Sequence, residues 1–404
     1  MSIFLFIESN TTGTGRLFAK TARELGLSPV MLVQDPDRYC FIKDDKLDYV
    51  VVDTSNINAI FDACGSLKEA PAGVWSSSEY YISAAASCAK LLNLPAPNPG
   101  AIKICQNKYR QRTILRAFQI AVPNFETANF YNQAIEVAEQ MGFPVIVKPI
   151  QGSGSSGVRL CYNVVELKEH MSGLLLHQTN ERGIPMQPGV LIEEFMEGDE
   201  FSIETFGTTI VGITKKYVSR PPNFVEVGHD FPAVLGEETS AEIYQSVLAA
   251  LKALDLEWGP VHTEIKLTNQ GPMVVEVNPR LGGGFIPELV RLATGIDLIS
   301  QTVRLASNRK TSLFRHCERY VSIRFIIPQI NGTLESVSGV DEAKMKDEIV
   351  DVQLYFSPGT KIQKRGDFRD RVGHIIAQGS VSSLVRTIAD STLDEIHVKV
   401  MPLN

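Results

Sequence analysis

A lysine closing an apolar run, followed at once by glycines and serines, is suited to holding phosphates. That arrangement stands at Phe143-Pro-Val-Ile-Val-Lys-Pro-Ile-Gln-Gly-Ser-Gly-Ser-Ser-Gly-Val158. The glycines, Gly154 among them, let backbone N–H groups approach phosphate oxygens. Ser155 and Ser156 add hydroxyl donors, and Lys148 supplies a fixed positive charge. No Gly-Lys-Ser/Thr follows, so the loop is not a Walker A motif. Taken alone it also reads as a glycine-rich surface turn.

A second segment, Val190-Leu-Ile-Glu-Glu-Phe-Met-Glu-Gly-Asp-Glu200, is an apolar strand ending in acids, a glycine turn and the start of another strand. Carboxylates at such a strand end can accept hydrogen bonds from a base amino group and from ribose hydroxyls; the plainer alternative is a solvated acidic turn. A third segment pairs Pro260-Val-His-Thr-Glu-Ile-Lys-Leu267 with Met273-Val-Val-Glu-Val-Asn-Pro-Arg280 across a short turn. An antiparallel hairpin would set Glu264 against Glu276, with Asn278 on the same face. Like charges directly opposed need a cation between them, and hard oxygens on one face suit Mg2+. Arg280 shares that face and is placed to hold a carboxylate or a transferring phosphoryl group.

The elements that must position these groups follow from periodicity. Residues 1–100 alternate β-rich runs (Ile3–Ile7, Pro29–Val33, Tyr49–Val52) with helical ones (Arg16–Leu25, Asn56–Leu67, Glu79–Leu92), which predicts a small parallel α/β unit. Leu94-Pro-Ala-Pro-Asn-Pro-Gly100 marks a boundary. Residues 101–306 read as an α+β unit with a mixed or antiparallel sheet, flanked by helices including Cys105–Phe118. Residues 307–404 read as a third, smaller sheet-and-helix unit. The loops at 215–233 and 281–288 shape the pocket.

Length and composition agree with this picture. The chain has 404 residues, 44% hydrophobic and 21% charged, with a net charge of −7 and no basic stripe. These values point to a soluble multidomain protein acting on small molecules, with neither nucleic acid nor membrane as partner. The six cysteines form no Cys-x-x-Cys pair, and no signal peptide precedes Glu8, so a reducing cytoplasm is expected.

The four separated pieces together resemble the ATP-grasp superfamily over residues 101–306. The resemblance implies a Rossmann-like pre-grasp domain before the grasp and a biotin-carboxylase-like lid after it. It implies ATP and Mg2+, or Mn2+, as cofactors. Lys108 and Lys148 would contact the ATP phosphates under the 152–157 loop. Glu193 and the backbone of Glu194, Phe195 and Met196 would meet adenine, and Glu200 the ribose. Glu264, Glu276 and Asn278 would hold the metal, and Arg280 would face the reacting phosphate.

Further phrases are similar to L-amino acid ligases and dapdiamide-type amide ligases: Ser9-Asn-Thr-Thr-Gly-Thr-Gly15, Ile213-Thr-Lys-Lys-Tyr217, Phe224 to Ala233, and Leu281-Gly-Gly-Gly284. This subgroup implies that Lys216 helps bind the triphosphate and that Glu226, His229 and the glycine loop lie near the substrates. Arg280, Lys216 and His229 are then the candidate catalytic residues. The expected activity is carboxylate–amine ligation through an acyl phosphate, as in antibiotic biosynthesis, by a homodimer. A biotin carboxylase-like enzyme using bicarbonate is the alternative, although Met345-Lys346 lacks the following methionine of a biotin site. A non-catalytic nucleotide-binding module is a further reading. So is a dinucleotide-binding oxidoreductase, hinted by Gly13-Thr-Gly15 and Asp35, but its third glycine position holds Phe18.

Overall fold

The computed structural model describes residues 2–11, 14–176, 179–180 and 182–402. Strands β1 (Ile3–Ile7), β2 (Ser28–Val33), β3 (Asp48–Val51) and β4 (Pro71–Trp75) form a parallel sheet in the order β3-β2-β1-β4. Every residue of β1 is buried, as its unbroken apolar run requires. β4 escaped the sequence reading because proline and glycine disguise it. A Cβ on Gly73 would lie 2.7 Å from the Phe4 ring and 2.8 Å from the Ala306 carbonyl oxygen. Glycine here lets the helix Leu298–Ala306 lie against the sheet. That helix and its predecessor, Ile286–Thr294, carry Leu289 and Val303 into one core with Phe4, Phe6, Phe18 and Trp75. The N-terminal sheet is thereby seated on the rest of the molecule.

A second, antiparallel sheet, in the order β5-β8-β6-β7, contains β5 (Phe125–Ala128), β6 (Val145–Pro149), β7 (Arg159–Cys161) and β8 (Val190–Glu194). The next strands are β9 (Asp199–Phe206), β10 (Thr209–Val218), β11 (Glu226–Phe231), β12 (Pro260–Thr268) and β13 (Gly271–Asn278). They are followed by β14 (Tyr320–Ile326), β15 (Gly332–Ser338), β16 (Ile349–Leu354), β17 (Lys361–Ile362), β18 (Gly373–Gly379) and β19 (His397–Met401). A single eight-stranded sheet runs β13-β12-β9-β10-β11-β14-β18-β16, and a small sheet runs β17-β15-β19.

Three expectations are corrected here. The C-terminal stretch does not build its own sheet alone, because β14, β18 and β16 extend the central one. The segment expected as a pocket loop at 215–233 contains the end of β10 and all of β11, which pair with each other. Its Gly228 looks like a turn residue, yet a Cβ there would lie 2.6 Å from the Ile323 carbonyl oxygen of β14. Finally, the helix expected over Cys105–Phe118 starts at Lys108 and runs to Ala117, and a separate helix, Pro99–Cys105, precedes it. The Asn107 side chain accepts from the Arg110 N–H at 2.9 Å and starts the later of the two. Lys108 therefore occupies a helix N-terminus, where the macrodipole is positive.

Gly13 lies outside the described residues. Gly15, in the first helix, admits no side chain, since a Cβ would run into Ser9 and the Asn10 carbonyl oxygen. Among the described residues, no helix is long and apolar enough to cross a membrane.

Candidate active site

A cleft lies between the second sheet and the central sheet, with unlike ends. At one end, Phe195 and Phe224 stand with ring centroids 6.4 Å apart. The Lys266 ammonium lies 5.2 and 5.8 Å from those rings and 3.6 Å from Glu200. At the other end the 152–156 loop faces Lys108, Lys148 and Lys216. Positive φ at Gly152, Gly154, Ser155 and Gly157 turns the loop backbone into a concavity of the kind that binds anions. A flat apolar base at one end and a polyanion at the other match this polarity.

Each lysine is already held by a carboxylate. Lys148 Nζ lies 2.6 Å from Glu193, whose other oxygen pairs with Arg112. Lys108 Nζ donates to Glu276 at 2.8 Å and to the Gly152 carbonyl oxygen at 2.6 Å. Lys216 Nζ sits between Glu226 at 2.8 Å and Glu264 at 2.9 Å. Glu264 and Glu276 are direct cross-strand partners, so two lysines neutralise a pair that would otherwise repel. His262 reinforces this, with Nδ1 2.8 Å from Glu204 and Nε2 3.1 Å from Glu264. Burial alone would lower its pKa, but the two carboxylates raise it to about 9, so it is an imidazolium at neutral pH. Lys216 and His262 in turn hold the Glu264 carboxyl well below the usual range against its burial.

The Glu193 side chain, expected on adenine, is instead committed to Arg112 and Lys148 and is 4% exposed. Its place on β8 directly beside β6 makes it a support for Lys148. Glu194, Phe195, Met196 and Glu200 line the cleft as expected of their segment. Asn278 lies opposite His262, is buried, and is not among the lining residues. Arg280 pairs with Glu79, from the loop after β4, and neither is among the lining residues of the cleft.

His229 is fully buried, and neither ring nitrogen has a hydrogen-bond partner. Gly284 lies over it, a Cβ there falling 2.5 Å from its Nε2, whereas a Cβ on Gly282 would lie 2.9 Å from His262 Nδ1. Burial pushes its pKa down to about 3, so it is neutral. A neutral imidazole with so low a pKa is a weak base and offers no imidazolium proton at neutral pH.

Sequence reasoning missed Arg112, Phe224, Lys266, Glu79 and Arg371. Arg112 had a signal, standing four residues after Lys108 on one helical face. Lys266 had one too, two residues after Glu264 on the same strand and so on its face, and Phe224 opens a phrase already singled out; Glu79 and Arg371 come near across tertiary contacts and had none. Among the described residues no group of three His, Cys, Asp or Glu side chains has metal-holding geometry. The two facing glutamates are a hard-oxygen pair of the kind that holds Mg2+ only together with nucleotide phosphates.

Comparison with known proteins agrees with this geometry. An ATP-grasp domain model matches residues 141–288, and the L-amino acid ligase C-terminal domain 2 matches 324–401. The uncharacterized protein y4rH of Sinorhizobium fredii is 35% identical over 402 residues, covering 99% of this chain and 84% of that protein. Dapdiamide A synthase of Enterobacter agglomerans is 25% identical over 70% of each chain. Carnosine synthase 1 of Mus musculus is 26% identical over 56% of this chain, which spans only 29% of that longer protein. The crystal structure of L-amino acid ligase from Bacillus licheniformis superposes with a TM-score of 0.82 at 25% identity, covering 100% of this chain and 99% of that one. The chain thus belongs to the ATP-grasp carbon–nitrogen ligases, in the branch that carries the L-amino acid ligase C-terminal domain.

Proposed function

We propose that the chain joins the carboxylate of one small molecule to the amine of an amino acid, with ATP as the second substrate. The carboxylate oxygen attacks the γ-phosphorus, ADP leaves, and an acyl phosphate results. The amine then attacks the acyl carbon, the C–O bond to phosphate breaks, and amide, phosphate and a proton are released. The observation that carries this reading is the cleft with an aromatic end and a cationic end, closed by two facing glutamates each held by a lysine.

In this reading Phe195 and Phe224 sandwich the base, while Lys108, Lys148 and Lys216 hold the phosphates. Charge neutralisation and positioning are the main catalytic demands of phosphoryl transfer. Glu264 and Glu276, which line the cleft, would hold Mg2+, or Mn2+, which neutralises phosphate charge when bound, and Asn278, buried opposite His262, would have to turn into the cleft to join them. Arg280 orients the carboxylate, and backbone N–H groups of Gly282–Gly284 face the acyl oxygen. The loop at 152–157 excludes water that would hydrolyse the acyl phosphate. The division into units at residues 100 and 306, with the last unit sharing the central sheet, a homodimeric state and a cytoplasmic setting complete the proposal; the six free cysteines support the last.

A screen of carboxylate and amine pairs for ADP release tests it. ADP should appear with a carboxylate and an amino acid together, and the amide should be visible by mass spectrometry. ADP released with bicarbonate alone would replace this reading with the carboxylase alternative.

Lys148 adds a pH dependence. Burial outweighs the one carboxylate it shares with Arg112 and lowers its pKa to about 8. Because the folded value is below the unfolded one, this lysine costs stability at neutral pH. The cost is relieved as pH rises through about 8 towards the ordinary lysine value. ATP affinity moves the other way, since the charged form holds phosphate. The dissociation constant for ATP should rise about tenfold between pH 7 and pH 9, and Lys148→Arg should flatten that profile. Calorimetric titration across the range checks it, and a flat wild-type profile removes Lys148 from the phosphate site.

A further inference from the structure

The segment 363–372, between β17 and β18, reaches the cleft from the C-terminal side and is rigidly built. Asp370, 3% exposed, accepts the backbone N–H groups of Arg365 at 2.7 Å and Gly366 at 2.9 Å. Asp367, 2% exposed, accepts the Arg369 N–H at 3.0 Å and its Nε–H at 2.9 Å. Gly366, at φ +77°, seats on Asn223, and a Cβ there would lie 2.7 Å from its Nδ2. Two side chains project from the knuckle so fixed. Phe368, 38% exposed, covers the tip of the glycine loop. Its N–H donates to the Gly154 carbonyl oxygen at 3.4 Å, and a Cβ on Gly154 would run into its ring.

Arg371 points the other way and is 8% exposed. It donates through its terminal nitrogen to Glu226 Oε2 at 2.6 Å and through Nε to the Glu226 backbone oxygen at 3.2 Å. Its guanidinium lies 3.8 Å over the Phe325 ring, which fixes it further. Glu226 Oε1 holds Lys216, and Lys216 holds Glu264. The knuckle therefore connects the covering of the phosphate loop to the lysine between the two glutamates.

We infer that segment 363–372 is part of the catalytic machinery, holding the 151–157 loop shut through Phe368 and positioning Lys216 through Arg371 and Glu226. Glu226 without Arg371 would have Lys216 as its sole close cationic partner and would draw that ammonium away from phosphate. With Arg371 present the carboxylate charge is shared, and Lys216 is free to transfer. Both are positioning residues, and their joint seat on one knuckle makes loop closure and lysine placement a single event. This inference rests on the ligase reading only in giving Lys216 a phosphate to meet.

The test compares the full chain with Phe368→Ala, Arg371→Met and Arg371→Lys. Hydrogen exchange of the 151–157 peptide without nucleotide should quicken about fivefold in Phe368→Ala. It should also quicken in Arg371→Met, whose site does not touch the loop, and less so in Arg371→Lys, with exchange in β1 and β4 unchanged in all three. In turnover, Phe368→Ala should chiefly raise the KM for ATP. Arg371→Met should chiefly lower kcat, about tenfold or more, with partial rescue by lysine. Wild-type exchange at 151–157 in Phe368→Ala overturns the latch, and unchanged loop exchange in Arg371→Met overturns the coupling. Uniformly faster exchange in Arg371→Met, together with no effect of Arg371→Lys, reduces Arg371 to a structural residue. If Arg371→Met does not fold, the other two variants decide by the same readouts. Failure of the wild-type chain to bind ATP would sink the ligase reading itself, and the exchange data would still stand for the knuckle.

Discussion

Glu276→Gln will fold and will still bind ATP, but its ADP release with saturating carboxylate and amine will fall on the order of 10³-fold. The fold survives because Glu276 and Glu264 are direct partners on β13 and β12, tolerated only because Lys108 and Lys216 neutralise them. Removing one of two opposed charges relieves repulsion, and glutamine keeps the shape and an oxygen for Lys108. Relief of repulsion and the loss of the carboxylate partner of Lys108 oppose one another, so the melting temperature should change little. Turnover collapses because an amide oxygen replaces an anionic one exactly where a divalent cation must be shared with the phosphates. A coupled ADP assay across a Mg2+ titration, run beside a melting curve, checks both halves. Near-wild-type turnover at saturating Mg2+ would remove Glu276 from the metal site, and a large drop in melting temperature would show a structural role instead.

The hairpin that carries this pair was legible because every relevant constraint was local. Strand alternation suggests the faces and a glutamate pair facing itself demands a cation, but the turn at 268–271 sets the register only as far as Ile265, and a bulge beyond it brings Glu276, rather than Val275, opposite Glu264. The loop at 152–157 was legible for a similar reason, since glycine spacing and a strand-end lysine are chemistry written in consecutive residues. Glu193 shows where this ends. Its position at the cleft was readable, but its partner Arg112 lies 81 residues away, and only packing reveals that its carboxylate supports Lys148. The strand β11 was hidden because Gly228, His229 and Asp230 are poor strand formers by composition. They are acceptable in a sheet only because β10 and β14 bury them on both sides and Arg324 and Tyr217 satisfy Asp230. The splice of β14, β18 and β16 onto the central sheet has no local signal either, since it is made by β11–β14 pairs such as Gly228 with Arg324 and Phe231 with Val321, far apart in sequence.

Arg280 is the group for which that distinction matters most. It stands two residues past β13, yet its guanidinium is paired with Glu79 from the N-terminal unit, at 16% and 13% side-chain exposure respectively. A guanidinium so placed is oriented before any substrate arrives, and its charge stays permanent because Glu79 raises its pKa further against burial. If it orients the carboxylate that attacks phosphorus, Arg280→Met will lower kcat/KM for the carboxylate on the order of 10³-fold while ATP affinity changes less than about threefold. Glu79→Gln should be milder, about tenfold, because it loosens the guanidinium without removing it. The two effects should not add. Arg280→Met leaves Glu79 as an uncompensated carboxylate near the site, where it repels the anionic substrate, and Glu79→Gln in the same chain relieves that repulsion. The double variant should therefore be no slower than Arg280→Met alone. Steady-state ADP release for the four chains of this cycle, with ATP binding measured separately, decides the matter. Simple additivity would mean that Glu79 and Arg280 act on different steps, and an equal loss of ATP affinity in Arg280→Met would place the guanidinium on the nucleotide.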